Sequence, residues 1–469
     1  MPYEPTREAI SAHRAPAWFE DAKLGIFVHW GLYSVPGWAP TTGPLHDVVA
    51  AKGWEGWFAR NPYAEWYANS LRIPGSPTAQ YHAAHYPADF AYESFAEEFN
   101  AATATWDPAP WADLFAAAGA RYAVLTTKHH DGFLLWPSAH PNPWIPGYQA
   151  ARDVVGDLTA AVRARGLTMG LYYSGGLDWT FDETPIRDLN DLVRAVPQGD
   201  DYVAYAGAHL RELIARYAPE VLWNDIGYPN TANLFDLFAH YYNSVPRGAI
   251  NDRFVQATPP PEASAGTLTD VGALPLPVHW DFRTPEYTSY DTIVHQKWES
   301  TRGLGFSFGY NRNETPANML TAEELIHSFV DIVSKNGNLL INVGPMADGT
   351  IPAEQQQRLR ALGAWLAVNG PAIYGTRPWT RAEGRIADGP AVRFTQRDGA
   401  LYTVALEAPR AAEVVLEGIV AGLGATVHLL GQEGALAWRQ TYAGLAVTLP
   451  TSNLPASPAY TLQIRPLPL

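Results

Sequence analysis

The sequence predicts an α/β fold: a (β/α)8-like barrel over residues 1–375, followed by a small antiparallel β-sandwich over residues 376–469. Three observations carry this expectation. Through the first three quarters of the chain, short apolar runs alternate with helix-period segments, the order of a parallel sheet with crossover helices. About eight such units fit into roughly 350 residues, which favours a closed barrel over an open doubly wound sheet. From about Arg377 the helix periodicity stops, and short alternating segments separated by Gly and Asp turns take over.

The apolar runs expected as buried strands are GIFVHW (25–30), RYAVLTT (121–127), LTMGLYYS (167–174), EVLWND (220–225), VHWDF (278–282), GFSFGY (305–310) and NLLINVGP (338–345). Helical segments lie between several of them. WADLFAAAGA precedes the second run. DLTAAVRARG stops at Gly166, a residue suited to a left-handed cap. HLRELIARYAPE stops before Pro219. Thr321 and Glu324 make a capping box for a helix that the pattern ends at Gly337. Residues 255–277 form a long Pro/Gly/Ala loop, a kind usually functional or mobile. Beyond the linker near Tyr374–Trp379, AVRFTQRDGALYTVAL, AAEVVLEG, ATVHLLG and LAVTLP read as sandwich strands.

Composition narrows the function. The chain has 469 residues, 47% of them hydrophobic, enough for a sizeable core. With 32 Lys and Arg against 47 Asp and Glu, the net charge is −15. That disfavours nucleic acid and anionic membranes as partners, since both need a cationic face. There are no cysteines, so disulfides, thiolate metal sites and a cysteine nucleophile are excluded. No apolar leader run or 18-residue apolar span is visible, and the location expected is cytoplasmic. No GxGxxG follows a strand and no GxxxxGK[ST] is present, so the dinucleotide and P-loop readings lose their main support.

In a barrel, side chains beyond the C-terminal strand ends converge on one pocket. Those positions hold His29 and Trp30; Lys128, His129, His130 and Asp131; Tyr172 and Tyr173; Trp223, Asn224 and Asp225; Asn251, Asp252 and Arg253; Glu286; and Phe308 and Tyr310. Carboxylates, histidines, an arginine and aromatic rings on one rim suit glycoside hydrolysis, which needs two carboxylates in different protonation states. Asp225 follows an apolar strand, a place where a helix N-cap or turn aspartate is the ordinary alternative. Glu286 competes with Glu65 and Glu299, each beside a Trp whose burial would raise a carboxyl pKa as a general acid requires. His129 and His130 are adjacent, and on a strand they would face opposite ways, so the pair alone cannot chelate one ion. There is no HExxH, and no metal or other cofactor is expected. YYSGG makes no GxSxG elbow.

FVHWG (27–31), EWY (65–67), TTKHHDGF (126–133), GLYYSGGLDW (170–179), LWNDIG (222–227), NDR (251–253), TPEY (284–287), FGYNRNE (308–314) and NLLINVGPMADGTIP (338–352) together resemble the α-L-fucosidases of glycoside hydrolase family 29. The matches run in order from about residue 15 to 375. The resemblance implies a retaining exo-acting hydrolase of fucosylated glycans, with a catalytic barrel at 1–375. Asp225 matches its nucleophile and Glu286 its acid/base. His29, Glu65, Trp66, His129, His130, Tyr172, Trp223 and Arg253 match sugar-pocket positions. Phe27, Tyr172, Trp223 and Phe308 match an apolar wall for the C6 methyl of fucose. Such a wall alone discriminates by roughly 1–3 kcal/mol, so hydrogen bonds to the ring hydroxyls must supply the rest. The rivals are a glycosidase for another L-sugar, such as an α-L-galactoside, and a catalytically silent fucose-binding lectin. A homo-oligomer is compatible with all three.

Overall fold

The computed structural model describes residues 2–258, 268, 272, 274–409, 411–450, 454 and 456–468. The central part of the expected 255–277 loop (259–267, 269–271 and 273) lies outside the described residues. Seven parallel strands make one curled sheet: β1 (Leu24–Val28), β2 (Tyr122–Lys128), β3 (Thr168–Tyr173), β4 (Val221–Asn224), β5 (Ala249–Ile250), β6 (Trp298–Gly303) and β7 (Gly337–Val343). Their order is β5-β4-β3-β2-β1-β7-β6.

Both faces of this sheet are covered, so its strands other than β6 are mainly apolar on both sides, and the period-2 alternation decides which side chain goes where. Phe27, Val124, Tyr172, Val221, Trp223 and Leu340 turn into the barrel, where they meet Phe19, Tyr122, Ala249 and Phe282. Ile26, Val28, Leu125, Leu171, Leu222, Leu339 and Ile341 turn outward into the larger helix-covered core. Complete burial of one such side chain, Phe27 for example, stabilises the fold by about 1.5–3 kcal/mol.

Two expected strands are not strands. GFSFGY is an irregular loop, and the strand is the polar run before it, Trp298–Gly303. Its polar side chains hid it; two of them are buried on partners from other segments, Glu299 on the Trp223 indole at 3.1 Å and Ser300, whose Oγ donates to the Thr288 carbonyl at 2.7 Å. VHWDF and the residues after it fill the eighth place through single bridges: Asn251 with Phe282, Arg283 with Trp298, and Glu286 with Thr301. Pro285 within this stretch has no N–H to give a ladder. Glu286 therefore rides on the segment that closes the barrel between β5 and β6.

The helices form where the pattern puts them. Ala109–Ala117, Val154–Ala164, Asp200–Tyr217 and Ala322–Ser334 are α-helical. Gly166 follows its helix at φ 72°, and Ala218 takes a left-handed φ of 45° ahead of Pro219. The Thr321–Glu324 capping box is present in both directions. That helix stops at Ser334, not Gly337. Asn336 makes the left-handed turn at φ 77°, its side-chain amide donating to the carbonyls of Val294 and His295. Gly337 opens β7, where a Cβ would strike the Trp298 ring at 2.7 Å.

The C-terminal strands are β8 (Arg377–Arg385), β9 (Ala391–Arg397), β10 (Ala400–Ala405), β11 (Glu413–Glu417), β12 (Thr426–Leu429), β13 (Trp438–Gln440), β14 (Gly444–Thr448) and β15 (Tyr460–Arg465). They pair antiparallel in a five-stranded sheet, β12-β15-β10-β9-β8, and a three-stranded one, β11-β14-β13. The core between the sheets includes Val392, Phe394, Leu416, Val427, Leu445 and Ile464.

Candidate active site

One guanidinium organises the carboxylates. Arg253, just past β5, donates from Nη1 to Asp225 Oδ1 at 2.8 Å and from Nη2 to Glu286 Oε2 at 3.2 Å. Two oxygens bonded to the terminal nitrogens of one planar group lie inside the roughly 9.5 Å outer limit for paired glycosidase carboxylates. Arg253 is itself fixed: Nε donates to Thr284 Oγ1 at 3.0 Å, Nη2 donates to the Thr284 carbonyl at 3.1 Å, and Asp252 accepts from Thr284 Oγ1 at 2.6 Å.

Asp225 follows β4 and is 8% exposed. Its Oδ2 accepts from the Tyr172 hydroxyl at 2.8 Å, and Oδ1 also accepts from the backbone N–H of Ile226 at 3.0 Å. Burial pushes this carboxyl up. The Arg253 charge and the hydrogen bonds from Arg253 and Tyr172 outweigh that push and hold it below the usual carboxylate range. Asp225 is thus an ionised, oriented carboxylate at the mouth of the barrel. Glu286 is more open, with its side chain 25% exposed, and its Oε1 accepts from the Tyr63 hydroxyl at 2.8 Å.

Three histidines line the same rim. His129 and His130 lie just beyond the end of β2, free of strand alternation, and their rings are 4.0 Å apart. The expectation that they face opposite ways does not hold, because the strand ends at Lys128. Burial depresses all three imidazoles, His29 to about 4, His130 to about 3 and His129 well below the usual value, so they are neutral. Neighbours set two of the tautomers. Ser174 Oγ spends its one proton on the Leu177 carbonyl at 2.7 Å, so at 2.7 Å from His130 Nδ1 it accepts. Asn342 Nδ2 donates to the Phe308 carbonyl at 2.6 Å, which turns its Oδ1 to His29 Nδ1 at 2.7 Å. Both rings carry the proton on Nδ1, and both Nε2 atoms are acceptors. His130 Nε2 stands 3.8 Å from Asp225 Oδ2.

The aromatic residues singled out in the sequence meet here. The Phe27 ring is 5.1 Å from Trp223, 5.8 Å from Tyr172 and 6.4 Å from Phe308. Arg253 lies 4.7 Å over the Trp223 ring. Trp66 stands edge-on to His130 at 5.2 Å and to Trp179 at 5.4 Å. Glu65 is buried, accepting from the Gly309 N–H at 2.7 Å and from Ser307 Oγ at 3.3 Å, and burial pushes its carboxyl up to about 8. Sequence reasoning placed Asp252 on the rim but missed Tyr63, Ser174, Thr284 and Asn342 as partners of the site residues. Each is within two residues of a named motif residue or inside a quoted motif, the one signal available.

Glu299 sits lower. Its carboxyl accepts from the Trp223 indole at 3.1 Å and from the Tyr122 hydroxyl, at the opposite end of β2 from the histidines. It is fully enclosed, and burial raises it to about 7 from an ordinary 4.5. A carboxyl raised by folding contributes its full stability below the unfolded pKa and loses it as pH climbs to the folded one. Glu299→Gln should therefore flatten the fall in Tm between about pH 4.5 and 7 relative to wild type. Parallel Tm–pH curves would show that Glu299 is ionised in the native protein.

Among the described residues, the one group of three His, Asp or Glu side chains with donor atoms spaced for a metal is His13, His279 and Asp281. It does not include the rim histidines. No helix among the described residues is long and apolar enough to cross a membrane.

Comparison with known proteins fits this geometry. Residues 1–371 match the family model "Alpha-L-fucosidase", and residues 388–465 match "Alpha-L-fucosidase C-terminal domain". The rat (Rattus norvegicus) plasma α-L-fucosidase is 35% identical over 476 residues, covering 98% of this chain and 92% of its own. A Thermotoga maritima α-fucosidase solved with a mechanism-based inhibitor superposes with TM-score 0.85 at 43% identity, covering 98% of this chain and 99% of its own. The same organism's enzyme solved in complex with fucose gives TM-score 0.84 at 42% identity, covering 98% and 100%.

Proposed function

The chain belongs to the α-L-fucosidase family, and from that premise we propose that Asp225 and Glu286 are the nucleophile and the acid/base of a retaining exo-α-L-fucosidase. The observation that carries the reading is the single Arg253 guanidinium bonded to both carboxylates above an aromatic floor. In the first step Asp225 attacks the anomeric carbon while Glu286 gives its proton to the departing glycosidic oxygen, leaving a fucosyl ester. In the second, Glu286 takes a proton from water, which attacks the anomeric carbon and frees Asp225. Two groups in two environments serve two roles: Asp225 is held ionised, and Glu286 is reachable from solvent.

Phe27, Tyr172, Trp223 and Phe308 form the wall for the C6 methyl, and Glu65, Trp66 and the histidines read the sugar's other edge. The substrate is a glycan with a terminal α-L-fucosyl residue. The same reading takes no metal or organic cofactor, no nucleic-acid or membrane partner, a cytoplasmic location and a domain boundary at 375/376. That boundary falls between the ends of the two matched family models. Comparing 4-nitrophenyl α-L-fucoside with other nitrophenyl glycosides tests the specificity, and NMR of the first-formed fucose tests retention. Preference for another glycoside, or an inverted first product, would overturn the reading.

Because His29 Nε2 and His130 Nε2 are bare acceptors, the sugar hydroxyls that meet them must donate. Fluorine accepts but cannot donate. Replacing such a hydroxyl on the 3- or 4-carbon with fluorine should therefore lower kcat/KM as much as replacing it with hydrogen, by about tenfold or more. Clear retention of activity by the fluoro sugar over the deoxy sugar would mean that the imidazoles donate.

A further inference from the structure

Behind the barrel's closing segment lies a buried polar cluster that the mechanism does not use. Asp281 opens the stretch that carries Glu286. Its backbone N–H donates to the Ile250 carbonyl at 2.8 Å, and its Oδ2 accepts from the Ile250 N–H at 2.8 Å. One residue thus satisfies both outward groups of the last residue of β5, the work a neighbouring strand does elsewhere in the sheet. The carboxylate is held in turn. His13 Nδ1 donates to Oδ1 at 2.7 Å, and the Tyr242 hydroxyl donates to Oδ2 at 2.8 Å while accepting from His279 Nε2 at 2.7 Å. The His13 ring stacks on Tyr242 at 3.7 Å. His13, His279 and Asp281 are all nine-tenths or more buried.

Donor atoms of His13, His279 and Asp281 lie within 4.8 Å of one another, a spacing that would admit a metal ion. His13 Nδ1, His279 Nε2 and both Asp281 oxygens are already engaged in hydrogen bonds, with Tyr242 between His279 and Asp281.

We infer that Asp281, locked by His13, Tyr242 and His279, is a positioning residue for Glu286: it fixes the start of the closing segment on β5 and so the place of the acid/base beside Arg253. The inference rests on the assignment of Glu286 as acid/base. From Asp281 the segment runs through Thr284, which grips Arg253, to Glu286. A shift at its root moves the proton donor relative to Asp225, which is anchored separately on β4. Misplacement at the level of an ångström is enough to cost a positioned group much of its effect.

The test is a leaving-group comparison in Asp281→Ala, with rates normalised to folded protein from the thermal unfolding amplitude. An alkyl α-L-fucoside, which needs proton donation, should lose at least about tenfold more kcat/KM than 4-nitrophenyl α-L-fucoside, which needs little. Azide should then speed turnover of the nitrophenyl substrate. Asp281→Asn, whose amide oxygen can still take the Ile250 N–H, should recover most of the loss on the alkyl substrate. His13→Phe keeps the stack on Tyr242 and removes one hydrogen bond; it should shift the same ratio less, and it serves if the alanine variant fails to fold. A loss equal for both substrates would make Asp281 merely structural and overturn the proposal. So would a fall in wild-type Tm on EDTA treatment, which would mean a metal holds the cluster. If Glu286→Ala itself lacks leaving-group dependence, the acid/base assignment fails, a result separable from any behaviour of Asp281.

Discussion

Asp225→Ala should lower kcat on 4-nitrophenyl α-L-fucoside by at least about three decades, because no fucosyl ester can form without the carboxylate. The structure adds what removal leaves behind. Arg253 keeps Glu286 as a partner, while the Tyr172 hydroxyl loses its acceptor. The variant should therefore fold with a modest change in Tm, and the kinetic loss should far exceed any loss of folded protein. Azide offers a second readout. A small nucleophile entering the vacated space attacks from the face that Asp225 occupied, so the product should be the fucosyl azide of inverted configuration. Turnover near wild type, measured on protein with a normal melting transition, would remove Asp225 from the mechanism.

Glu286→Ala should separate substrates by their leaving groups. An aryl fucoside departs with little help, so its first step survives and deglycosylation slows. An alkyl fucoside needs the proton and should lose about two decades or more. Azide needs no base and should speed turnover of the aryl substrate, giving the azide of retained configuration. Glu65 and Glu299 are the competitors, and the structure weighs them differently. Glu299 is sealed beneath Trp223 and reaches no glycosidic oxygen. Glu65 has its carboxyl raised to about 8 by burial, a value suited to an acid. Its oxygen is tied, however, to the Gly309 N–H and Ser307, whereas Glu286 shares a guanidinium with Asp225 and keeps an exposed edge. Glu65→Ala should lower activity on all leaving groups alike, as loss of a sugar contact does. Azide rescue that follows Glu65 would move the assignment there.

The sequence by itself determined the parts whose environment is written in local pattern. Strands buried on both faces need apolar runs, and β1 to β4 and β7 were legible for that reason. The motif resemblance put Phe27, Tyr172 and Trp223 on one apolar wall, and the strand ends put His29, His129, His130 and Asp225 on the rim of the barrel. The capping box at Thr321 and the turn before Pro219 were legible because caps and turns depend on near neighbours. Only the tertiary structure decided the rest. β6 is a polar sequence made a strand by partners from distant segments. The eighth place in the barrel was announced by the run VHWDF as a strand, but it is filled through single bridges by an irregular segment around Pro285. The pairing of His13 with Asp281, 268 residues apart, and the bridging of Asp225 and Glu286 by Arg253 leave no local trace. Hydrophobic periodicity records how much of a side chain is buried; it does not record which polar atom it will meet there, and that meeting sets charge, tautomer and reach.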